Sequence, residues 1–175
     1  VRAYIETGVE VTALAATPDG NYAVVADGDS DTVSIVSLAS DAVVATLSVP
    51  ERPYGVLVSP DSQTAYVGTV KGTDRVYFIQ LAGAGSAIVG SVAPGNIGQM
   101  ALTADGSQLG IYNYYDGQFV LIDTAPRNVR PSPNAVGSHT GLAKISMLKP
   151  VLTVLASVPF TRVVLPSDVA SVKIG

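Results

Sequence analysis

One unit of sequence recurs three times along this chain, and its spacing leaves few architectures open. Residues 17–38 read TPDGNYAVVADGDSDTVSIVSL. Pro18 fixes φ, Asp19 can bond back to the main chain and Gly20 accepts positive φ, so these three residues predict a tight turn. A short apolar run follows, then a polar tip containing Gly28, then TVSIVSL. In that last run the alternation places Val33 and Ile35 on one face of a strand. The same order of turn, strand, hairpin and strand returns at 59–81 (SPDSQTAYVGTVKGTDRVYFIQL) and at 103–124 (TADGSQLGIYNYYDGQFVLIDT). The turn aspartates Asp19, Asp61 and Asp105 stand 42 and 44 residues apart.

A period of about 40–45 residues carrying four strands is the signature of a β-propeller blade. The expected fold class is therefore all-β, with propeller-like blades of four antiparallel strands. Three units are legible, at about 9–50, 51–94 and 95–124, within a repeat region of 1–125, and residues 1–7 are expected to serve as an outer strand. Residues 125–134 (APRNVRPSPN) hold three prolines and two arginines, so 126–134 is expected to be an extended linker. Residues 135–175 keep strand character without the turn motif and are expected to form a degenerate fourth blade or a β-rich tail. Three units cannot close a ring, and open blade faces and strand edges invite partners. Closure by the tail, completion by further chains, and a chain that is one part of a larger ring all remain open.

Composition narrows the function classes. The charged fraction of 14% is well below the ~25% of an ordinary soluble domain, and the hydrophobic fraction is 47%. Net charge is −4 with no cluster of Lys and Arg, which argues against a nucleic-acid partner. The most apolar region, 147–165, is cut by Pro150 and Pro159 and carries Lys149 and Arg162, so membrane insertion is not expected. The absence of cysteine removes disulfides, thiolate chemistry and Cys-ligated metals. The first residues, VRAYIETG, show no basic-then-apolar leader pattern.

Two groups of residues are candidate sites. Asp27, Asp29 and Asp31 form an alternating carboxylate triplet in a hairpin tip, a pattern that can converge on Ca²⁺. The EF-type spacing fails, since Thr32 and Leu38 stand where Gly and Glu are required, so a solvated turn is the competing reading. Tyr112, Tyr114, Tyr115 and Asp116 make an aromatic hairpin suited to sugar or protein contact, against the plainer reading of strand packing. No other cofactor and no catalytic residue is expected. His139 is the only histidine and has no partner nearby in sequence, while Arg127 and Arg130 flank the Pro-rich stretch and could meet an acidic partner.

The repeats resemble the YVTN-type β-propeller family of surface and periplasmic proteins. TPDGNYAVVADGDSDTVSIVSLAS at 17–40 carries most of the likeness, through its Pro-Asp-Gly turn and its "NTVSVID"-like strand. SPDSQTAYVGTVKGTDRVYFIQLA at 59–82 carries less, and TADGSQLGIYNYYDGQFVLIDTA at 103–125 less again. The resemblance implies a secreted, periplasmic or cell-surface protein whose leader lies outside this sequence. It implies a binding and assembly role toward a protein or glycan partner or toward itself as a homo-oligomer. The alternative is a fragment or subunit of an enzymatic or redox propeller, lactonase-like or electron-transferring.

Overall fold

The computed structural model describes residues 2–131 except 73, 114, 116 and 126, and of 127–131 it describes the backbone. The expected linker-to-tail segment 132–175, including His139, lies outside the described residues.

Among the described residues, twelve strands form three separate four-stranded sheets, each an antiparallel meander. Sheet I is β1 (Val11–Ala16), β2 (Tyr22–Asp27), β3 (Thr32–Ser37) and β4 (Ala42–Ser48). Sheet II is β5 (Pro53–Val58), β6 (Thr64–Thr69), β7 (Val76–Gln80) and β8 (Ala87–Val92), with a 3₁₀ turn at Gly83–Gly85 between its last two strands. Sheet III is β9 (Gln99–Leu102), β10 (Gln108–Tyr112), β11 (Phe119–Thr124) and β12 (Arg127–Pro131). The expected all-β blade architecture is present, with strand boundaries within a residue or two of the turn chemistry.

The turns explain why the strands begin and end where they do. In each repeat a hydroxyl donates to the aspartate two residues on, at 2.5–2.6 Å: Thr17 to Asp19, Ser59 to Asp61 and Thr103 to Asp105. The same hydroxyl accepts the N–H of the next strand's first residue, from Tyr22, Thr64 and Gln108. The aspartate also accepts the N–H of Asn21, Gln63 or Ser107. These bonds favour the ionised carboxylate. The hydroxyl bond is the main cause in each case, and it holds all three below the usual carboxylate range, Asp105 at about 2. A depressed folded-state pKa stabilises above the unfolded value near 4 and is lost as pH falls through the folded value. The melting temperature is therefore expected to hold from neutral pH to about pH 4.5 and to fall between about pH 4 and 2. Thermal melts across that range should show a shallower acid slope for Asp105→Asn than for the native chain.

Side chains alternate across each strand, so every sheet has a backward face, toward the sheet before it in chain order, and a forward face, toward the sheet after it. Val24, Val33 and Ile35 on the forward face of sheet I pack on Ala65, Val67 and Ile79 on the backward face of sheet II. Tyr66, Val76 and Phe78 on the forward face of sheet II pack on Leu109, Ile111, Val120 and Ile122 of sheet III. Gly68 lets the two sheets approach closely: a Cβ there would lie 2.8 Å from the Met100 sulfur.

Two expectations are corrected. Residues Arg127–Pro131, read as linker, pair with β11 as the outer strand of sheet III. Proline biases the residue before it toward extended backbone, and at an outer strand its missing N–H costs no ladder bond. Residues 2–7, read as an outer strand, join no sheet. They cross the backward face of sheet I from one end to the other. Arg2 donates to the Leu38 carbonyl and pairs with Asp41 at one end, and the Val9 N–H donates to Ser30 Oγ at the other. Gly8 makes this path possible, because a Cβ there would lie 2.5 Å from the Asp27 Cβ.

Candidate functional site

The registers sort the connections into two ends. At one end lie the three Asp-containing turns and the β3–β4 connection. At the other, the loop end, lie the β2–β3, β6–β7 and β10–β11 hairpins and the links that join successive sheets. Both candidate groups fall at the loop end.

The three aspartates do not converge. Asp27 is fully buried, and its Oδ2 accepts from Ser34 Oγ at 2.7 Å and Thr32 Oγ1 at 3.3 Å, while Oδ1 has no hydrogen-bond partner. Its counterparts in sheets II and III, Thr69 and Asn113, are buried too, so this is a repeated polar position at the strand end. Asp29 is exposed and stands 3.7 Å from the Arg52 guanidinium. Asp31 accepts the Arg52 N–H at 2.8 Å. Among the described residues no three His, Cys, Asp or Glu side chains stand together as a metal site would require.

What the structure does assemble there is a cluster the sequence reading missed. Arg52 donates to Glu10 at 2.6 Å, and Glu10 shares a hydrogen bond with Asp29. That carboxyl–carboxyl bond is the main cause raising the Glu10 pKa above its ordinary value, with Arg52 pulling the other way. Arg52 precedes a proline yet holds φ at 54°, a left-handed conformation that costs on the order of 1–3 kcal/mol in a non-glycine residue. The Asp31 bond to its N–H and the Glu10 bond to its side chain hold it there. The signal available in the sequence was only two charged residues before a proline, Glu51-Arg52-Pro53.

Asp31 has a second meaning. In sheet II, Asp74 occupies the same position, also at positive φ, and accepts the N–H of Ile97 at 3.3 Å. Each aspartate thus latches its hairpin to the link that leads into the first strand of the next sheet. In sheet III that position is Gly117 (φ 61°), which has no side chain to do so.

The tyrosines separate as well. Tyr112 lies on β10 and pairs with Phe119 across the sheet, so it belongs to the forward face of sheet III. Tyr115 is 82% exposed at the hairpin tip, where its N–H donates to Asn113 Oδ1. Tyr114 and Asp116 lie outside the described residues. Tyr54, not singled out from sequence, is 51% exposed at a bulge in β5. It lines a shallow groove with Gly55, Leu57, Ile97 and Met100, between the innermost strands of sheets II and III.

No protein-family model matches the chain, and no curated protein does. Solved structures do. Hydrazine synthase of Kuenenia stuttgartiensis is similar at TM-score 0.62 and 14% identity, over 75% of this chain and 38% of that one. The β-propeller domain of Myceliophteria thermophila Cps50 (Swd1) matches at 0.59 and 8%, over 69% and 41%. The fold is that of β-propeller blades. The Pseudomonas aeruginosa periplasmic gluconolactonase PpgL matches at 0.56 and 24%, over 70% and 40%. The chain spans about two-fifths of the length of these structures. No helix among the described residues is long and apolar enough to cross a membrane.

Proposed function

We propose that this chain is a non-enzymatic, extracytoplasmic binding and assembly module of YVTN-type propeller repeats. Its loop end meets a protein or glycan partner. One observation carries the reading: the two ends of the blade stack treat their polar groups differently. At the turn end, the carboxylates of Asp19, Asp61 and Asp105 each accept within their own turn, and the one bond between turns among the described residues is neutral, from the Asp19 N–H to Ser62 Oγ at 3.0 Å. At the loop end, Glu10, Asp29 and Arg52 form an exposed cluster that joins two sheets, with Tyr54 and Tyr115 exposed on neighbouring sheets. Tyrosine offers a rigid apolar body and a polar tip at low entropic cost, which suits both sugar and protein contact.

A glycan array probed with the full chain tests this. The expected result is binding to a defined set of glycans that falls at least about tenfold in Tyr54→Ser/Tyr115→Ser, each such aromatic contact being worth on the order of 1–2 kcal/mol. Binding left unchanged by both substitutions overturns the loop-end reading. Turnover of a gluconolactone by the full chain would favour the enzymatic alternative instead.

A further inference from the structure

The internal repeat allows every face position to be compared with its counterparts, and among the described residues two faces carry apolar side chains more exposed than their counterparts. On the backward face, the register pairs Leu14 with Val25, Val56 with Val67, and Met100 with Ile111. These are equivalent positions in sheets I, II and III. Val56 and Met100 pack into the two inter-sheet cores, whereas Leu14 is 67% exposed. Val11, beside it on β1, is 50% exposed. The strap from Arg2 to Gly8 crosses this face without strand pairing, and Arg2, Ala3, Tyr4 and Glu6 along it are exposed.

On the forward face, Phe119 is the counterpart of Val33 and Val76, and Leu121 that of Ile35 and Phe78. The four counterparts are buried between sheets, while Phe119 and Leu121 are half-buried. The latch that fastens a sheet joined through the preceding hairpin is replaced here by Gly117.

We propose that these two faces are the halves of one interface between copies of this chain: the forward face of sheet III on one copy packs against the backward face of sheet I on another, displacing the Arg2–Gly8 strap. The proposal goes beyond the loop-end reading by naming the surfaces and the partner. The chain already makes this kind of contact twice, between sheets I and II and between sheets II and III, and the two faces occupy the repeat positions that meet in those contacts. Contacts of this head-to-tail kind close into a ring when their rotations sum to a full turn. Propeller rings close with about four to eight blades, and two copies bring six of the described sheets. The strap covers the central strands of this face, where Val25, Ser34 and Val36 are buried, and leaves Leu14 and Val11 of β1 exposed. Its outer anchor is an exposed ion pair, Arg2–Asp41, of the kind worth little in water.

Light scattering on the full chain at micromolar concentration tests this, with circular dichroism to confirm folding of each variant. The expected mass is twice the 17.9 kDa of the chain. Leu14→Arg, at an exposed position, blocks the backward face, and Leu121→Arg blocks the forward face. Each alone is expected to weaken dimerisation by at least tenfold, and mixing the two is expected to restore pairing through the one intact interface. Arg2→Ala, which frees the strap, is expected to tighten dimerisation about two- to fivefold. A monomeric native chain overturns the proposal. So does a dimer indifferent to both Leu14→Arg and Leu121→Arg. Mixed variants that fail to pair point to like faces meeting, and overturn the head-to-tail arrangement. Unfolding by Leu121→Arg, with the native chain monomeric, places the occupant of that face within the chain and overturns it too. These substitutions lie away from the loop end, so glycan binding and dimerisation fail independently.

Discussion

Phe78→Ala is expected to lower the unfolding free energy by about 3–5 kcal/mol, the usual loss for a phenylalanine truncated in a packed core. Phe78 is 1% exposed and is the largest fully buried side chain among the described residues. Its ring meets Tyr66 edge to face, at 5.5 Å between centroids and 81° between planes, an arrangement worth about 0.5–1.5 kcal/mol beyond the area buried. Around it stand Leu109, Ile111, Val120 and Ile122, held by strand pairing, and Ile97 in the link before β9, so the cavity has little means of collapse. Phe78→Leu keeps most of the volume and is expected to cost less than about 1.5 kcal/mol. Denaturant unfolding of the full chain measures both. Because each sheet touches only its neighbours, the loss should be local in hydrogen exchange. Amides of β10 and β11 should lose protection before those of β2 and β3. A loss below about 1 kcal/mol for the alanine variant would mean that the second core repacks around the void.

The architecture was legible because the repeated turn is chemically demanding. A hydroxyl, an aspartate two residues on and a residue that tolerates positive φ recur at Thr17, Ser59 and Thr103, and they fix the start of β2, β6 and β10. Once those strands are placed, period-two alternation supplies the buried set, Val24, Val33, Ile35, Ile79, Leu109 and Ile122 among them.

The candidate site was far less legible, for a geometric reason. Asp27, Asp29 and Asp31 alternate in sequence, but the hairpin turns between them. One goes under the sheet, one toward solvent and one onto the following link. Comparison across repeats would have shown that Asp31 aligns with Asp74, a structural latch, and Asp27 with Thr69 and Asn113, a buried polar position. The Glu10–Asp29–Arg52 cluster joins residues about 20 and 40 apart in sequence, a proximity that only sheet stacking creates. Residues 2–7 and 127–131 were misread because local extended character does not say which sheet, if any, supplies the partner. Tyr112 and Tyr115 look like one aromatic patch in sequence. The strand end between them sends the first into a sheet face and the second to the loop tip.

Gly28→Ala carries the second large effect, and it acts where sheets I and II meet at the loop end. Gly28 is buried under the bulge of β1, and its N–H donates to the Glu10 carbonyl at 2.8 Å. A Cβ added there would lie 2.6 Å from Thr12 Cγ2, 3.3 Å from the Glu10 oxygen and 3.5 Å from the Pro53 oxygen. Thr12 cannot swing aside freely, because its hydroxyl donates to the Pro53 carbonyl of sheet II at 2.7 Å. Overpacking of this kind costs about 1–3 kcal/mol, and here the displaced group is also one of those that tie the two sheets together. Thr12→Ser removes the offending methyl and keeps the hydroxyl. It is expected to cost about 1 kcal/mol or less alone, and to recover most of the loss when combined with Gly28→Ala. Denaturant midpoints of the two single variants and the double variant complete the cycle. If the double variant is no better than the sum of its parts, the clash lies with the Glu10 and Pro53 main-chain oxygens. The hairpin tip would then be fixed by backbone rather than by the Thr12 methyl.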